Sequence, residues 1–394
     1  MILSDVCEFI VDCPHSTAPD EGKGYPLIRT PNVGKGRLDL NGVHRVSESV
    51  YKQRIQRGAP RANDLIFARE APAGNVALVQ ENQTVCLGQR TVLIRPNVQK
   101  VNPQYLVYYL LSPKPQYELL GTANGATVAH VNLPAIRNLK IELPEKSVQD
   151  KIGTILVTYD DLIENNQKQI KLLEEAAQRL YKEWFVDLRF PGHENTKIVD
   201  GVPEGWQWCK VRDVADINSS ALPKNYKEDF IDYVDLGSVR CGHIETRTRY
   251  NLNEAPGRAK RCAKDGDIIW GMVRPNLKAY ALVTNPKETD VFSTGFSVLS
   301  AKKVPYSYLY CAVTQEEFVG YLVNATNGAA YPAVKPVHFE VADILKPDDK
   351  VLEQFHSVAD SIYRKKEALE NQNHNLRESR DLILPKLMSG EVEV

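Results

Sequence analysis

The sequence predicts an α+β protein made of two similar α/β domains that are separated by two long helices. Three observations support this prediction: the second half of the 394 residues repeats the first, each repeat ends in a long segment with helical periodicity, and a link containing proline and glycine lies between the repeats. A chain of this length exceeds the usual size of one domain. We expect a first domain at 1–148, a spacer helix at 149–190, a second domain at 191–350 and a C-terminal spacer helix at 351–394.

The repeat has an offset of about 203 to 206 residues, which indicates duplicated domains and not a solenoid of short units. Residues 27–38 match residues 233–244, with Gly36 falling on Gly242, and both segments predict a strand followed by a glycine turn. The two copies also differ, since Arg29 in the first stands where the second has Asp235.

Two further pairs of segments align in the same order. Residues 64–79 match residues 267–283 with one inserted residue, and each predicts a hairpin of strands around a proline turn. A loop with Gly125 then matches a loop with Gly328. Each domain is therefore expected to contain the same strands and the same glycine-bearing loop.

The helical segments cover residues 149–185 and 351–387. In the first, apolar residues recur at steps of three and four with Asn166 on the same seam, and the second has an apolar residue every seven positions beside a seam with Lys366, Asn373 and Arg380. Polar residues at seam positions fix the register and the partner of a coiled coil. A helix of this length is a rod of about 55 Å, longer than one small domain needs.

The simplest pairing of two equivalent helices from a duplicated unit is an antiparallel coiled coil, which would give the chain a pseudo-twofold axis. The alternative is a pair of amphipathic helices, each packed on its own domain.

Basic residues are concentrated at equivalent places of the two repeats, although the net charge is only −1. Residues 29–69 hold nine Lys and Arg against three acidic residues, and residues 240–278 hold nine against four. Both clusters are candidate phosphate-binding patches. The alternative for each is ordinary solvated surface charge.

The seven cysteines are far apart, with no C-x-x-C pair and no histidine at metal-ligand spacing. This pattern favours a reducing cytoplasmic environment and no structural zinc site. The start of the chain has no basic and apolar leader, and no stretch approaches about 18 apolar residues, so we expect a protein that is neither secreted nor membrane-bound.

Motifs for catalysis are missing from the sequence. It contains neither the N-P-P-F or D-P-P-Y loop of an adenine methyltransferase nor the G-x-x-x-x-G-K-S/T loop of a translocase. His15 and His130 are not part of a recognisable triad motif. We therefore expect no catalytic residues, no cofactor and no metal, and any catalysis would come from partners.

Several strings in this order resemble the specificity subunits of type I restriction-modification systems over essentially the whole chain. They are P-L-I-R-T-P-N-V-G-K-G-R-L from Pro26, D-L-I-F-A-R-E-A-P-A-G-N-V-A-L-V from Asp64, C-L-G-Q-R-T-V-L-I-R-P from Cys86, N-G-A-T-V-A-H-V-N from Asn124, and a helical segment closing on Trp184. The resemblance implies two target-recognition domains, each reading one half of a split site in double-stranded DNA. It also implies that the helices set the spacing and dock methyltransferase subunits, two of them, within a complex that includes restriction and translocase subunits.

Base readout needs Arg, Lys, Asn or Gln side chains on a rigid scaffold, with Ser, Thr and further bases on phosphates. For each candidate below, the alternative is a turn former or a structural hydrogen bond. The candidates in the first domain are Arg29, Asn32, Lys35, Arg69, Gln89, Arg90, Asn124 and Thr127. Those in the second domain are Ser238, Arg240, Arg274, Asn276, Lys278, Asn327, Tyr331 and Lys335.

Two other functions remain open from the sequence. One is a non-catalytic scaffold whose coiled coil and side domains bind proteins, although such an adaptor has no need for two basic clusters at equivalent positions. The other is a stand-alone enzyme, which no motif supports.

Overall fold

A computed structural model of the chain describes residues 1–121, 129–326 and 332–394. The chain folds into two compact units. Unit 1 contains Met1–Gln167 and Asn371–Val394, and unit 2 contains Lys168–Glu370. Each unit thus combines one repeat with portions of both long helices, whereas the sequence boundaries set the helices apart as segments of their own.

Unit 1 holds a five-stranded and a three-stranded sheet. The strands are β1 (Cys7–Asp12), β2 (Tyr25–Ile28), β3 (Gly36–Arg37), β4 (Arg45–Val46), β5 (Leu65–Ala68), β6 (Val76–Leu78), β7 (Cys86–Leu87) and β8 (Thr91–Pro96). The larger sheet has the order β1-β8-β5-β6-β3, and the smaller has the order β4-β2-β7. Neighbours are antiparallel except for the β3–β6 and β2–β7 pairs, which are parallel.

Both faces of the five-stranded sheet are buried, which explains the unbroken apolar run of β5. Leu65 and Phe67 point into one hydrophobic cluster, and Ile66 and Ala68 point into another on the opposite face. Since successive side chains of a strand alternate between faces, a strand buried on both sides reads as a continuous apolar segment.

Except for α1 (Glu48–Arg54), which packs beside the smaller sheet, the helices of unit 1 cover the first of these faces. The others are α2 (Pro103–Leu111), α3 (Pro113–Gly121), α4 (Leu133–Arg137) and the long α5 (Lys146–Tyr181), which continues into unit 2. The start of α2 is capped by Asn102, whose side chain accepts a hydrogen bond from the Tyr105 amide, and Pro103 occupies the first turn. Ile152 and Leu156 of α5 belong to the same cluster as the sheet.

The described residues of unit 2 contain more strands, in five sheets. They are β9 (Ile198–Val199), β10 (Val202–Pro203), β11 (Gln207–Lys210), β12 (Ala215–Ile217), β13 (Phe230–Val234), β14 (Val239–Arg240), β15 (His243–Ile244), β16 (Thr248–Asn251), β17 (Ala259–Arg261), β18 (Ile268–Gly271), β19 (Tyr280–Leu282), β20 (Asp290–Ser293), β21 (Phe296–Ala301) and β22 (Asp343–Lys346). Two four-stranded sheets have the orders β12-β21-β18-β19 and β16-β13-β20-β17. The pairs β9–β10, β11–β22 and β14–β15 form the small sheets.

The helices of unit 2 are α6 (Val211–Val214), α7 (Tyr306–Thr314), α8 (Glu316–Asn324), α9 (Pro336–Glu340) and the long α10 (Asp349–Ser389), which ends in unit 1. The central strand β18 is buried on both faces like β5. Ile268 and Trp270 pack in the large cluster with α7, and Ile269 packs in a cluster on the other face.

The local structure of the predicted repeats agrees between the units. In each, a strand leads into a 3-10 turn, Thr30–Asn32 after β2 and Leu236–Ser238 after β13, and then into a glycine turn. Gly36 has φ +89° and Gly242 has φ +92°, values that favour glycine at both positions. The 3-10 turns were not predicted from the sequence.

The predicted hairpins are also present. β5 pairs with β6 through Leu65 and Leu78, and β18 pairs with β19 through Ile268 and Leu282, so the second connection is one residue longer. Both connections contain a proline turn, as predicted.

The two long helices agree with the predicted segments to within a few residues, and α5 is extended by a π-helical turn at Lys182–Val186. Within unit 1, Asn166 Nδ2 donates to Asn373 Oδ1 at 2.9 Å, and Arg380 pairs with Asp160. Residue numbers on α10 therefore rise as those on α5 fall, so the two segments run antiparallel in this unit.

The segments of α5 and α10 in unit 2 also run antiparallel. Glu174 pairs with Lys366, and the rings of Tyr181 and Phe355 lie 6.3 Å apart. Aromatic rings at this separation add to the stability gained by burial alone. The end of α5 and the start of α10 thus pack together through an aromatic cluster that includes Phe185.

Candidate nucleic-acid interface

The first candidate residues of unit 1 lie in the turn after β2. Asn32 is buried, accepts a hydrogen bond from the Arg29 amide at 3.1 Å and donates to the Asp39 carbonyl at 3.2 Å. The side chain amide of Asn32 therefore holds the turn together. Lys35 is exposed at the tip of the following hairpin, so its ammonium group is available to a phosphate.

Arg69, at the end of β5, is almost fully buried. Its three guanidinium nitrogens contact the Val131 carbonyl at 2.8 Å, the Asp12 carboxylate at 2.7 Å and His130 Nε2 at 2.7 Å. The Val131 amide in turn donates to the Arg69 carbonyl at 3.0 Å. Arg69 thereby anchors the segment that follows residues 122–128.

Arg90 lies beside this cluster, in the turn between β7 and β8, and its side chain is 61% exposed. Arg90 Nη1 is 2.7 Å from Glu70 Oε2, and the other Glu70 oxygen contacts His130 Nδ1. The Arg69 amide donates to the Arg90 carbonyl at 2.9 Å. Glu70, fixed by His130, thus orients an exposed arginine.

Arg29 and Gln89 complete the group in unit 1. A Cβ on Gly88 would come within 2.8 Å of Arg29 Cγ and 2.9 Å of the Ile28 carbonyl oxygen, so only glycine allows the Arg29 stem to lie there. Gln89 Nε2 is 3.5 Å from the His15 carbonyl oxygen. Arg29, Arg69, Gln89 and Arg90 are therefore brought together from three separate chain segments.

In unit 2, Ser238 occupies the turn that matches Asn32 and is likewise buried. Its amide and hydroxyl groups both donate to Asp235 Oδ1, at 2.9 and 2.8 Å, and it accepts from the Thr246 hydroxyl at 3.1 Å. Ser238 therefore shapes the turn from inside. Arg240, two residues on, is 74% exposed and makes a long contact of 3.7 Å to Glu245.

The turn between β18 and β19 presents the next three candidates. Arg274 and Lys278 both have positive φ, at +49° and +54°, and flank a short 3-10 turn that contains Asn276. Arg274 and Asn276 are exposed, and within the described ranges no hydrogen bond or ion pair engages their side chains. Lys278 pairs with Glu316.

Two neighbouring segments join this turn. The Arg274 amide donates to the Pro332 carbonyl at 2.8 Å, which places the segment with the exposed Lys335 beside it. The Cys241 amide donates to the Lys278 carbonyl at 2.9 Å, which adds the turn with Arg240. Unit 2 thus gathers Arg240, Arg274, Asn276, Lys278 and Lys335 from three segments.

Four candidates lie outside the described residues: Asn124, Thr127, Asn327 and Tyr331. The matched glycines Gly125 and Gly328 lie there as well.

Sequence reasoning did not single out Arg249 of β16, which lies inside the second basic cluster. Its guanidinium lies 4.0 Å from the centre of the Phe230 ring, and its Nε donates to Asp232 Oδ1 at 3.0 Å. That hydrogen bond lowers the pKa of the Asp232 carboxyl group. The alternation of Arg247 and Arg249 in the sequence was the available signal. The role of Glu70 could not be read from the sequence, because it depends on a partner 20 positions away.

Over the parts of the chain that the structure covers, no group of three or more His, Cys, Asp or Glu side chains could hold a metal ion. None of the described helices is long and apolar enough to cross a bilayer.

Fold and site together define a class: a duplicated mixed α/β protein that carries long helices and presents a group of arginine and lysine side chains on the loops of each repeat. Residues 1–175 match the family model described as the type I restriction modification DNA specificity domain.

Curated relatives extend the similarity over most of the chain. The MjaIX specificity subunit of Methanocaldococcus jannaschii is 27% identical, covering 90% of this chain and 83% of the relative. The HindI specificity subunit of Haemophilus influenzae is 21% identical, with 85% and 87% covered. The type I restriction-modification S subunit from M. genitalium shares the fold with a TM-score of 0.56 at 13% identity, covering 98% of this chain and 95% of that one. Over most of its length the chain is therefore similar to the specificity subunits of type I restriction-modification systems.

Proposed function

We propose that this chain is the DNA-recognition subunit of a type I restriction-modification complex and that it reads a two-part site. Unit 1 would contact one half-site and unit 2 the other, while methylation and cleavage are carried out by partner subunits. The main support for this proposal is that each unit presents exposed arginine and lysine side chains on a group of adjoining loops.

The chemistry of these loops supports contact with DNA. Arg90 in unit 1 and Arg274 in unit 2 are exposed and extend from turns whose backbone is tied to neighbouring segments. A guanidinium group can donate two hydrogen bonds to the major-groove edge of guanine. Lys35, Arg240 and Lys335 are suited to phosphates, which contribute most of the affinity.

The long helices support the second part of the proposal, a spacer that sets the distance between half-sites and docks two methyltransferase subunits. α5 has 36 residues and α10 has 41. Their surfaces carry large apolar side chains in contact with water, Leu172 at 64% and Leu382 at 70% exposure. These leucines are available for contact with partner subunits.

The test is a DNA-binding titration of the chain in complex with its methyltransferase subunits, monitored by fluorescence anisotropy over a salt series. Arg274→Ala should weaken binding by about 1–3 kcal/mol and relax the preference at one base position. Arg212→Ala is the matched control, because Arg212 is also exposed in unit 2 but lies on α6, outside the loop group.

Affinity for the wild-type complex should fall steeply as salt rises, since each phosphate contact releases counterions. A complex whose DNA affinity does not depend on salt, or an Arg274→Ala complex that binds and selects DNA as the Arg212→Ala complex does, would contradict the proposal. The first result would instead favour a protein-binding scaffold.

A further inference from the structure

The two long helices carry charged residues at seam positions that the duplication makes equivalent. Asp160 of α5 corresponds to Lys366 of α10 at an offset of 206 residues, and Glu174 corresponds to Arg380 at the same offset. Gly36 and Gly242, next to these side chains, have that offset too. At each pair of equivalent positions the charge is of opposite sign.

In unit 1 the acidic member lies on α5 and the basic member on α10. Arg380 Nη1 donates to Asp160 Oδ1, while the Tyr108 hydroxyl donates to Asp160 Oδ2 at 2.6 Å. The two charged side chains are 11% and 3% exposed. A Cβ on Gly36 would lie 2.5 Å from Asp160 Oδ2, so the glycine turn closes over the pair.

In unit 2 the acid again lies on α5 and the base on α10. Lys366 Nζ is 3.0 Å from Glu174 Oε1 and donates to the Gly242 carbonyl at 2.8 Å, with 7% of its side chain exposed. His243 Nε2 approaches Glu174 at 3.3 Å, and His243 Nδ1 contacts Glu370 at 2.6 Å. This pair is also covered by its glycine turn.

Consequently, α5 supplies both acids and α10 both bases. If α5 met a second copy of α5 in the same antiparallel register, Asp160 would face Glu174 at both ends. If α10 met a second copy of itself, Lys366 would face Arg380. Like charges that are withdrawn from water repel strongly, because little solvent screens them.

Residues in the middle of the seam do not distinguish pairing between α5 and α10 from pairing of either helix with a second copy of itself. Asn166 donates to Asn373 and Gln372, and the residue equivalent to Gln372 is Asn166 itself. Amides would therefore meet amides in either kind of pair. Discrimination between pairings rests on the two charge pairs.

We propose that these two pairs make the helices selective for each other, so that the seam of each helix accepts the other helix of the duplicated chain and rejects the equivalent helix of a second copy. The chain is thereby prevented from exchanging helices with another molecule. This holds whether or not the chain binds DNA.

The full-length chain allows a direct test by charge exchange. Asp160→Lys combined with Lys366→Asp places Lys beside Arg380 in unit 1 and Asp beside Glu174 in unit 2, but makes each helix complementary to its own copy. Adding Glu174→Arg and Arg380→Glu restores opposite charges between α5 and α10 with reversed polarity. The four-residue variant is therefore the matched control.

Two differently tagged copies of each variant are co-expressed, and the amount of one tag recovered with the other is measured together with the mass by light scattering. We expect the two-residue variant to recover at least ten times more of the second tag than the wild-type chain, and the four-residue variant to return to the wild-type level. Equal recovery by the wild-type chain and the two-residue variant overturns the proposal.

If the two-residue variant is insoluble, solubility becomes the readout. Recovery of soluble chain with the wild-type mass in the four-residue variant supports the proposal, because only the relative sign of the charges has been restored. A four-residue variant as insoluble as the two-residue one overturns it.

Discussion

Replacing Arg69 by alanine should destabilise unit 1 without removing a side chain that contacts DNA. The guanidinium is 10% exposed and joins Asp12, His130 and the Val131 carbonyl. Its removal leaves the Asp12 carboxylate, itself 12% exposed, without its closest cation. Breaking such a buried pair costs about 3–5 kcal/mol.

The lower part of that range is expected, because His15 Nε2 lies 3.4 Å from Asp12 and can replace part of the lost interaction. For a unit of this size each kcal/mol lowers the Tm by about 2–4 °C. The expected decrease is therefore roughly 10 °C. Arg69→Lys should recover part of the loss, since lysine keeps the charge but not the three separate donors.

Arg90→Ala is the matched control, because Arg90 belongs to the same cluster but is 61% exposed. An ion pair in that position contributes about 0–1 kcal/mol, so the Tm should stay close to that of the wild-type chain. The DNA affinity of the complex should instead decrease by about 1–3 kcal/mol if the guanidinium reads a base. The two substitutions are thus expected to separate stability from binding.

Thermal and urea unfolding can be followed separately in the two units. All four tryptophans, at positions 184, 206, 208 and 270, belong to unit 2. Their fluorescence reports on unit 2, whereas far-ultraviolet circular dichroism reports on both units. The reasoning is refuted if Arg69→Ala keeps the wild-type Tm in circular dichroism and loses DNA affinity as Arg90→Ala does.

Three further predictions concern the units and the helices. Exchanging residues 1–148 for those of another specificity subunit should change one half-site only, and mapping of methylated sites that found both halves altered would contradict independent reading. Inserting four residues into α5 lengthens the helix by about 6 Å. Since each base pair rises about 3.4 Å, the preferred distance between the half-sites should grow by one or two base pairs. An active variant with the original distance would show that the helices do not set the spacing between half-sites. Burial lowers the pKa of His243, but hydrogen bonds to Glu174 and Glu370 outweigh burial and raise it to about 9. The stabilisation from the charged imidazole should therefore be complete below about pH 6.5, the pKa of histidine in the unfolded chain. It should disappear as the pH rises through 9. Urea unfolding followed by tryptophan fluorescence should show this fall in the free energy of unfolding for the wild-type chain, and most of the fall should be lost in His243→Gln.

The helices and hairpins could be predicted because their signals are local. The periodicity of α5 and α10 gave their ends to within a few residues, and the repeat located both hairpins. The 3-10 turns after β2 and β13 escaped prediction because a single turn has no periodicity. The compact units could not be foreseen either, since their boundaries depend on contacts between segments about 200 residues apart.

The candidate residues separate by environment, which a list of residue types cannot show. Asn32, Arg69 and Ser238 use their polar atoms inside the protein, whereas Arg90 and Arg274 extend into solvent. The sequence alone does not distinguish a buried arginine of a basic cluster from an exposed one. The difference depends on whether a distant carboxylate or carbonyl lies within reach, and only the tertiary structure supplies that information.

The two repeats share the glycine turn that closes over an ion pair between the long helices, and they differ at an outward-facing position beside it. Gly36 and Gly242 both close over an ion pair between α5 and α10, and a Cβ would lie 2.5 Å from Asp160 Oδ2 at the first position and 3.1 Å from Glu174 Oε1 at the second. The exposed Lys35 of the first hairpin, by contrast, corresponds to Cys241 in the second, and the two units present their arginines from different loops. Such a distribution is expected of a duplicated protein whose two units recognise different surfaces, as proposed above. If each unit reads one half-site, as proposed, this difference favours two unlike half-sites over a palindrome.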